Sequence, residues 1–183
     1  QQYADIQITL EIGNTPNILE TLSNDEIDLA LVEGVVENKD LNIKKFADDE
    51  LVLVCSGNHR WKERVEIDIR ELPQERMIWR EEHSGTRAIV EAVLEEHGVL
   101  DQIESYMELG STQAIKGAVE ANLGISILSE MAVARELKQN TLQKINISGV
   151  NLQRGLWMVQ KSQRFHQAGV EKFIRFLDEL ELS

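Results

Sequence analysis

Residues 6–34 read IQITLEIGNTPNILETLSNDEIDLALVEG, and the order of patterns within them decides the fold class. Ile6, Ile8, Leu10 and Ile12 alternate with Gln7, Thr9 and Glu11, the period of a strand with one buried face. Gly13 ends that run. Thr15 can accept a hydrogen bond as a helix N-cap, and Pro16 suits the first helical position, where its missing N–H is no loss. Ile18, Leu19 and Leu22 then share one face of a short helix. Residues 27–32 follow as an apolar strand closed by Glu33 and Gly34. Strand, helix and strand within about thirty residues have the size of a βαβ unit, whose expected crossover is right-handed and parallel.

The alternation continues outward from this stretch. Residues 41–46 predict a shorter strand, and 51–56 a continuously apolar one buried on both faces. The segment GNHRWKER, 57–64, is polar and marks the passage from one lobe to another. A second series starts with a strand at 77–79, a helix after Ser84-Gly85-Thr86 and a strand at 105–109. Ile89, Val90, Val93, Leu94 and His97 share a helical face, and Gly98 stands where a C-cap glycine stops a helix. Ser111 caps the next helix, with Ala114, Ile115, Ala118 and Val119 as its stripe; Gly124 leads into a strand at 125–128, and Ser129 caps a further helix. Strands at 142–147 and 154–160 come next, and a helix over 166–180 places Val170, Phe173, Ile174, Leu177 and Leu180 at core spacing. Two such series predict an α/β protein with mostly parallel sheets, in two lobes with a ligand cleft between them.

Composition removes several classes. The 183 residues suit one domain or two small lobes. No apolar run nears the roughly 18 residues that cross a bilayer, and the start lacks the basic and apolar blocks of a secretory signal. A formal charge of −13 disfavours a surface that grips nucleic acid through its phosphates. The single cysteine, Cys55, cannot form an internal disulfide and sits in an apolar run, as a small buried hydrophobe does.

The glycines form neither a dinucleotide nor a P-loop fingerprint, and neither GxSxG nor HExxH occurs. His59, His83, His97 and His166 are scattered, without the clustering of a metal site. The carboxylates offer no evident acid/base pair, so neither catalysis nor a metal or cofactor is expected.

Two polar motifs carry more information, because each lies between a strand end and a helix start: Ser84-Gly85-Thr86 and Gly110-Ser111-Thr112. A helix start offers free N–H groups and partial positive charge, and glycine lets a ligand approach the backbone. Hydroxyls add donors, and together these can hold a carboxylate, sulfate or phosphate. The plainer reading is that Ser84 and Ser111 only cap their helices, which is the commoner use of such residues. Arg80 and Arg87 flank the first motif and could assist an anion, although pairing with Glu81 or Glu82 is the ordinary alternative. Trp79 could line the same place or simply pack.

Four stretches together carry a resemblance: LEIGNTPNILETLSNDEIDLALVEG (10–34), FADDELVLVCSGNHRW (46–61), EEHSGTRAIVEAVLEEHG (81–98) and ELGSTQAIKGAVEANLGISILSE (108–130). In this order they resemble the effector-binding domain of LysR-type transcription regulators, near the sulfur-assimilation and carbon-fixation branch. The resemblance implies a type 2 periplasmic-binding-protein-like fold of two Rossmann-like lobes. Lobe I would be 1–58 with 155–183, lacking its first strand and helix, and lobe II would be 59–154. It implies ligand contacts from Ser84, Gly85, Thr86, Ser111 and Thr112, with Glu33, Gly34 and Ile127 facing the same cleft and Leu128 beside Ile127.

It also implies a cytoplasmic regulatory domain that binds a small, anionic co-inducer. Such a domain is a homodimer, a tetramer when full length, with helices at 16–24 and 86–97 at the dimer interface. It meets DNA only through an N-terminal winged helix-turn-helix that this sequence does not contain. The rival on the same fold is an extracytoplasmic solute-binding protein of a transporter.

Overall fold

The computed structural model describes residues 7–33, 38–162 and 168–179. In chain order the elements are α1 (Thr15–Ser23), β1 (Ala30–Glu33), β2 (Leu41–Ser56), β3 (Glu66–Ile67), β4 (Met77–Arg80), α2 (Gly85–Glu96), β5 (Ser105–Leu109), α3 (Thr112–Glu120), β6 (Ser126–Ser129), α4 (Glu130–Lys138), β7 (Leu142–Ile147), β8 (Gln153–Lys161) and α5 (Ala168–Glu179). Short 3-10 helices cover Ile69–Gln74 and Leu100–Gln102. The chain divides into two compact units. One holds the described residues up to Asp48 and from Gly155 on; the other is Asp49–Arg154.

In the first unit, α1 buries Ile18 and Leu22 against Ala30 and Val32 of β1 and Val159 of β8, with Leu19, Ile27 and Trp157 packed around them. Full burial of each such aliphatic side chain is worth roughly 1.5–3 kcal/mol. The N-cap is Asn14, whose side chain accepts the Asn17 N–H at 3.0 Å, and not Thr15. Thr15 is the first helical residue, and its hydroxyl donates to the Glu33 carbonyl at 3.2 Å, tying the helix start to the end of β1.

The strand expected before this helix is not formed. Residues 7–14 have no strand, and Ile8, Leu10 and Ile12 are 73%, 79% and 86% exposed. Alternation says which face could be buried; a strand also needs a neighbour for its N–H and C=O groups, and no described residue pairs with this segment. Among the described residues the parallel βαβ crossover is therefore not formed either. β1 pairs antiparallel with β8, Ala30 opposite Val159 and Glu33 opposite Leu156. Ile6, Gly34, His166 and Leu180 lie outside the described residues.

The second unit is built around the apolar run 51–55. Where the sequence suggested two strands, at 41–46 and 51–56, a single 16-residue strand β2 runs through both. Its side chains alternate between two cores. Leu51, Leu53 and Cys55 join Trp61, Met77, Trp79, Val90, Leu94 and Ile127, whereas Val52 and Val54 join Ile78, Ile115, Val119, Leu128 and Val133. The run thus has no polar face because both of its faces are covered, one by α2 and the other by α3 and α4.

β2 contributes residues to both units. The sequence reading placed the outward passage in the polar segment 57–64 and ended lobe I at residue 58; the two compact units divide between Asp48 and Asp49 and again between Arg154 and Gly155. The apolar end of β2 belongs to the second core. Residues 57–64 are turns of that same unit, with Trp61 buried and Arg60 and Arg64 over its ring.

Strand directions differ from the expected mostly parallel sheets. β2 pairs antiparallel with β6 and with β7, while β3–β7 and β4–β5 are parallel. Gly124 stands at one close approach: a Cβ there would lie 2.4 Å from the Arg76 carbonyl oxygen, beside the Met77–Ile125 bridge. Gly98 follows the C-cap of α2 at φ +67°, the left-handed conformation for which glycine has no steric penalty.

Candidate functional site

Both polar motifs stand at helix starts in the second unit. Ser84 is the N-cap of α2 and Ser111 the N-cap of α3, yet neither side chain makes a capping hydrogen bond. Ser129, by contrast, does cap α4, its Oγ accepting the Ala132 N–H at 3.3 Å. Capping therefore does not account for Ser84 or Ser111. Ser111 is exposed, where water can satisfy it. Ser84 is only 2% exposed, and its Oγ has no hydrogen-bond partner. A buried hydroxyl left unpaired costs roughly 1–3 kcal/mol, so an unused one at a helix N-terminus calls for an explanation.

Thr86 lies within α2, one residue past the half-buried Gly85. It is buried, and its Oγ1 accepts from Arg154 Nη1 at 2.9 Å. Arg154 Nε and Nη2 both donate to Asp49 Oδ2, at 2.8 and 2.7 Å, and Ser129 Oγ donates to Asp49 Oδ1 at 2.9 Å. The start of α2 is thereby tied to β2, β6 and β8. Sequence reading missed Arg154 and Asp49, and no local signal would have found them: they lie 105 residues apart.

The second motif is joined to the first through Arg80. Its Nη1 donates to Thr112 Oγ1 at 3.0 Å, while Nε and Nη2 hold Glu81 at 2.8 Å each. These bonds from Arg80 keep the Glu81 carboxyl below the usual carboxylate range. Arg87 bonds Glu91 and Glu108, each at 2.6 Å, and its guanidinium lies 5.6 Å from the Trp79 ring centre. Burial opposes the charge on Arg87, but those two carboxylates raise its pKa nonetheless. Arg80 thus serves the pair with Glu81 that was its ordinary alternative, whereas Arg87 pairs with Glu91 and Glu108 and not with Glu81 or Glu82.

Trp79, Arg80, Thr86, Arg87, Val90 and Ile127 line one narrow concavity, which places five of the site residues singled out from the sequence, Trp79, Arg80, Thr86, Arg87 and Ile127, beside each other. Ile127 and Leu128 are both buried but point into different cores. Glu33 ends β1 in the first unit, where its carbonyl accepts the Thr15 hydroxyl, and Gly34 is outside the described residues. Among the described residues no cluster of three or more His, Cys, Asp or Glu could hold a metal ion. No described helix is long and apolar enough to cross a membrane.

The mixed α/β fold is that of regulatory domains of the two-lobed periplasmic-binding-protein type. It matches the Synechocystis CcmR regulatory domain in complex with 2-PG, with a TM-score of 0.86 and 29% identity over 97% of this chain and 84% of that one. The effector-binding domain of QuiR in complex with shikimate shares the fold at a TM-score of 0.82 and 21% identity, covering 97% and 82%. Residues 1–181 match the model of the LysR substrate binding domain, and the chain belongs to that family.

Among curated relatives, the HTH-type transcriptional activator CmpR of Synechocystis is 35% identical across 97% of this chain and 58% of its own length. A probable RuBisCO transcriptional regulator of Cyanidium caldarium is 29% identical across 94% and 56%. The chain thus spans less than two thirds of these relatives. They are named as transcription regulators and not as enzymes or transport proteins, in agreement with the reading of an effector-binding domain without catalysis.

Proposed function

We propose that the chain senses a small, multiply charged organic acid at the N-terminus of α2 and reports it within a LysR-type transcription regulator. The observation that carries this is Ser84, a buried N-cap hydroxyl that neither caps its helix nor meets another partner. An anion seated there would accept from Ser84 and from the free N–H groups of the first turn, and the helix dipole would favour its charge. Thr86 lies one turn-step away, and Gly85 keeps the approach to the backbone open. Ser111, Thr112 and Ile127 are further contacts in this proposal. With −13 overall, attraction to an anion must be local.

The relative in complex with 2-PG is the best guide to ligand chemistry, so 2-phosphoglycolate is the first probe. The regulator is cytoplasmic in this reading, acts as a dimer or tetramer, and reaches DNA through a separate N-terminal domain. Ligand can shift its activity only by binding one arrangement of the full-length oligomer better than another. Calorimetric titration of the full-length protein with 2-phosphoglycolate, inorganic phosphate and sulfate tests the proposal. Saturable binding that Ser84→Ala weakens about tenfold, the loss of one charge-assisted bond, is the expected result. Wild-type affinity in Ser84→Ala and Thr86→Ala would refute the site.

A further inference from the structure

Asp49 and Arg154 are the first and last residues of the second unit, one on β2 and the other on β8. Their side chains are 1% and 7% exposed. Desolvating such a pair largely cancels its Coulomb attraction, and apolar side chains of similar volume would hold the place as well. Stability alone therefore gives little reason for a guanidinium here. What the pair does supply is an aimed donor. Nε and Nη2 of Arg154 lie 2.8 and 2.7 Å from Asp49 Oδ2, Asp49 is itself held by Ser129, and Nη1 donates to Thr86 Oγ1 in the first turn of α2. Arg80 and Arg87, the cations visible from the sequence, are committed to Glu81, Glu91 and Glu108.

We infer that Arg154 is the charge-reading residue of the effector site, a role resting on the proposal that the start of α2 binds an anion. On binding, Nη1 donates to an oxygen of a tetrahedral dianionic group, a phosphoryl, seated between Ser84 and Thr86. Asp49 and Ser129 keep the guanidinium plane in position for it. A planar, preset fork suits an oxyanion that presents more than one acceptor, and a lysine ammonium does not reproduce it. The specificity this creates is for the phosphorylated acid over its unphosphorylated counterpart.

The test titrates 2-phosphoglycolate and glycolate into the full-length protein as wild type, Arg154→Lys, Ser84→Ala and the double variant Asp49→Asn/Arg154→Gln. The double variant replaces the ion pair with two amides, so no buried charge is left alone. It is expected to melt cooperatively and to lose 2-phosphoglycolate affinity roughly thirtyfold or more, as truncation of a buried charged contact does. Glycolate affinity should change far less, and Arg154→Lys should fall between wild type and the double variant. A folded double variant that binds 2-phosphoglycolate within about twofold of wild type, well inside that expected loss, would overturn the inference. Equal losses for both ligands would overturn it too, since a merely structural residue acts that way. Should the double variant not fold, wild-type affinity and selectivity in Arg154→Lys would have the same force. If Ser84→Ala loses binding while the Arg154 variants keep it, the effector site stands and the role of Arg154 falls. A wild type that binds neither 2-phosphoglycolate nor inorganic phosphate removes both.

Discussion

Arg154 meets Asp49 through two nitrogens on one carboxylate oxygen, Nε at 2.8 Å and Nη2 at 2.7 Å, at the two points where the chain enters and leaves the second unit. Removing one partner of a buried pair leaves an uncompensated charge. Asp49→Ala is therefore expected to destabilise the fold by roughly 3–5 kcal/mol, read from urea unfolding. Asp49→Asn/Arg154→Gln, which leaves no lone charge, should be clearly milder. Equal losses in the two variants would show that the carboxylate acts by packing and not by charge.

Ser84 separates function from stability. Its Oγ is buried, caps nothing and has no partner, so deleting it removes a desolvated group without breaking a bond. Ser84→Ala should unfold at the same or a higher denaturant concentration while losing effector affinity. Ser129→Ala, which breaks a working cap and the bond to Asp49, should lose about 1–2 kcal/mol. A destabilised Ser84→Ala would return Ser84 to a capping role.

Lys116 and Glu136 form a second buried pair between α3 and α4. Lys116 Nζ lies 2.9 Å from Glu136 Oε1 and from the Ala132 carbonyl, whereas Glu136 Oε2 has no partner. The bond from Lys116 holds the Glu136 carboxyl below the ordinary glutamate range despite burial. A carboxylate whose pKa is depressed on folding stabilises above its unfolded pKa, and that share is lost as pH falls through the folded value. Lys116→Met should thus cost about 3 kcal/mol at neutral pH. The gap to wild type, measured by chemical denaturation across pH, should narrow in acid; a constant gap would show that the charge is not what matters.

Cys55 is buried, and burial, aided by the charge of Glu75, pushes its thiol up to about 11. The thiolate is the reactive form, so the folded protein should resist iodoacetamide at pH 8, while the urea-unfolded chain alkylates at least about tenfold faster. Mass spectrometry of timed samples reads this directly. Rapid modification of the folded protein would contradict the buried placement of Cys55 on β2.

Much of the fold could be read from the sequence, and the errors share one cause. Hydrophobic period reports which side of an element is apolar, so α2, α3 and the doubly buried end of β2 were legible from residues such as Val90, Ile115 and Leu53, and the start of α4 from its cap Ser129. It does not report partners. The alternation of Ile8, Leu10 and Ile12 was real, but without a paired neighbour it produced no strand, and the antiparallel partner of β1 is β8, far along the chain. The site divides in the same way. Helix-start chemistry pointed to Ser84 and Thr86, yet it could not distinguish a used cap from an unused one.

What the sequence determined by itself is therefore local: the α/β alternation, the apolar faces, and the two hydroxyl-bearing helix starts at Ser84 and Ser111. What tertiary structure decided is the partner of each polar group. Ser129 caps and Ser84 does not; Arg80 and Arg87 are taken by nearby carboxylates; Arg154 reaches Thr86 across 68 positions of chain. A side chain's periodicity is set by its neighbours in sequence. Its hydrogen bonds and charge pairing are set only when the closed chain brings distant residues within about 3 Å of each other.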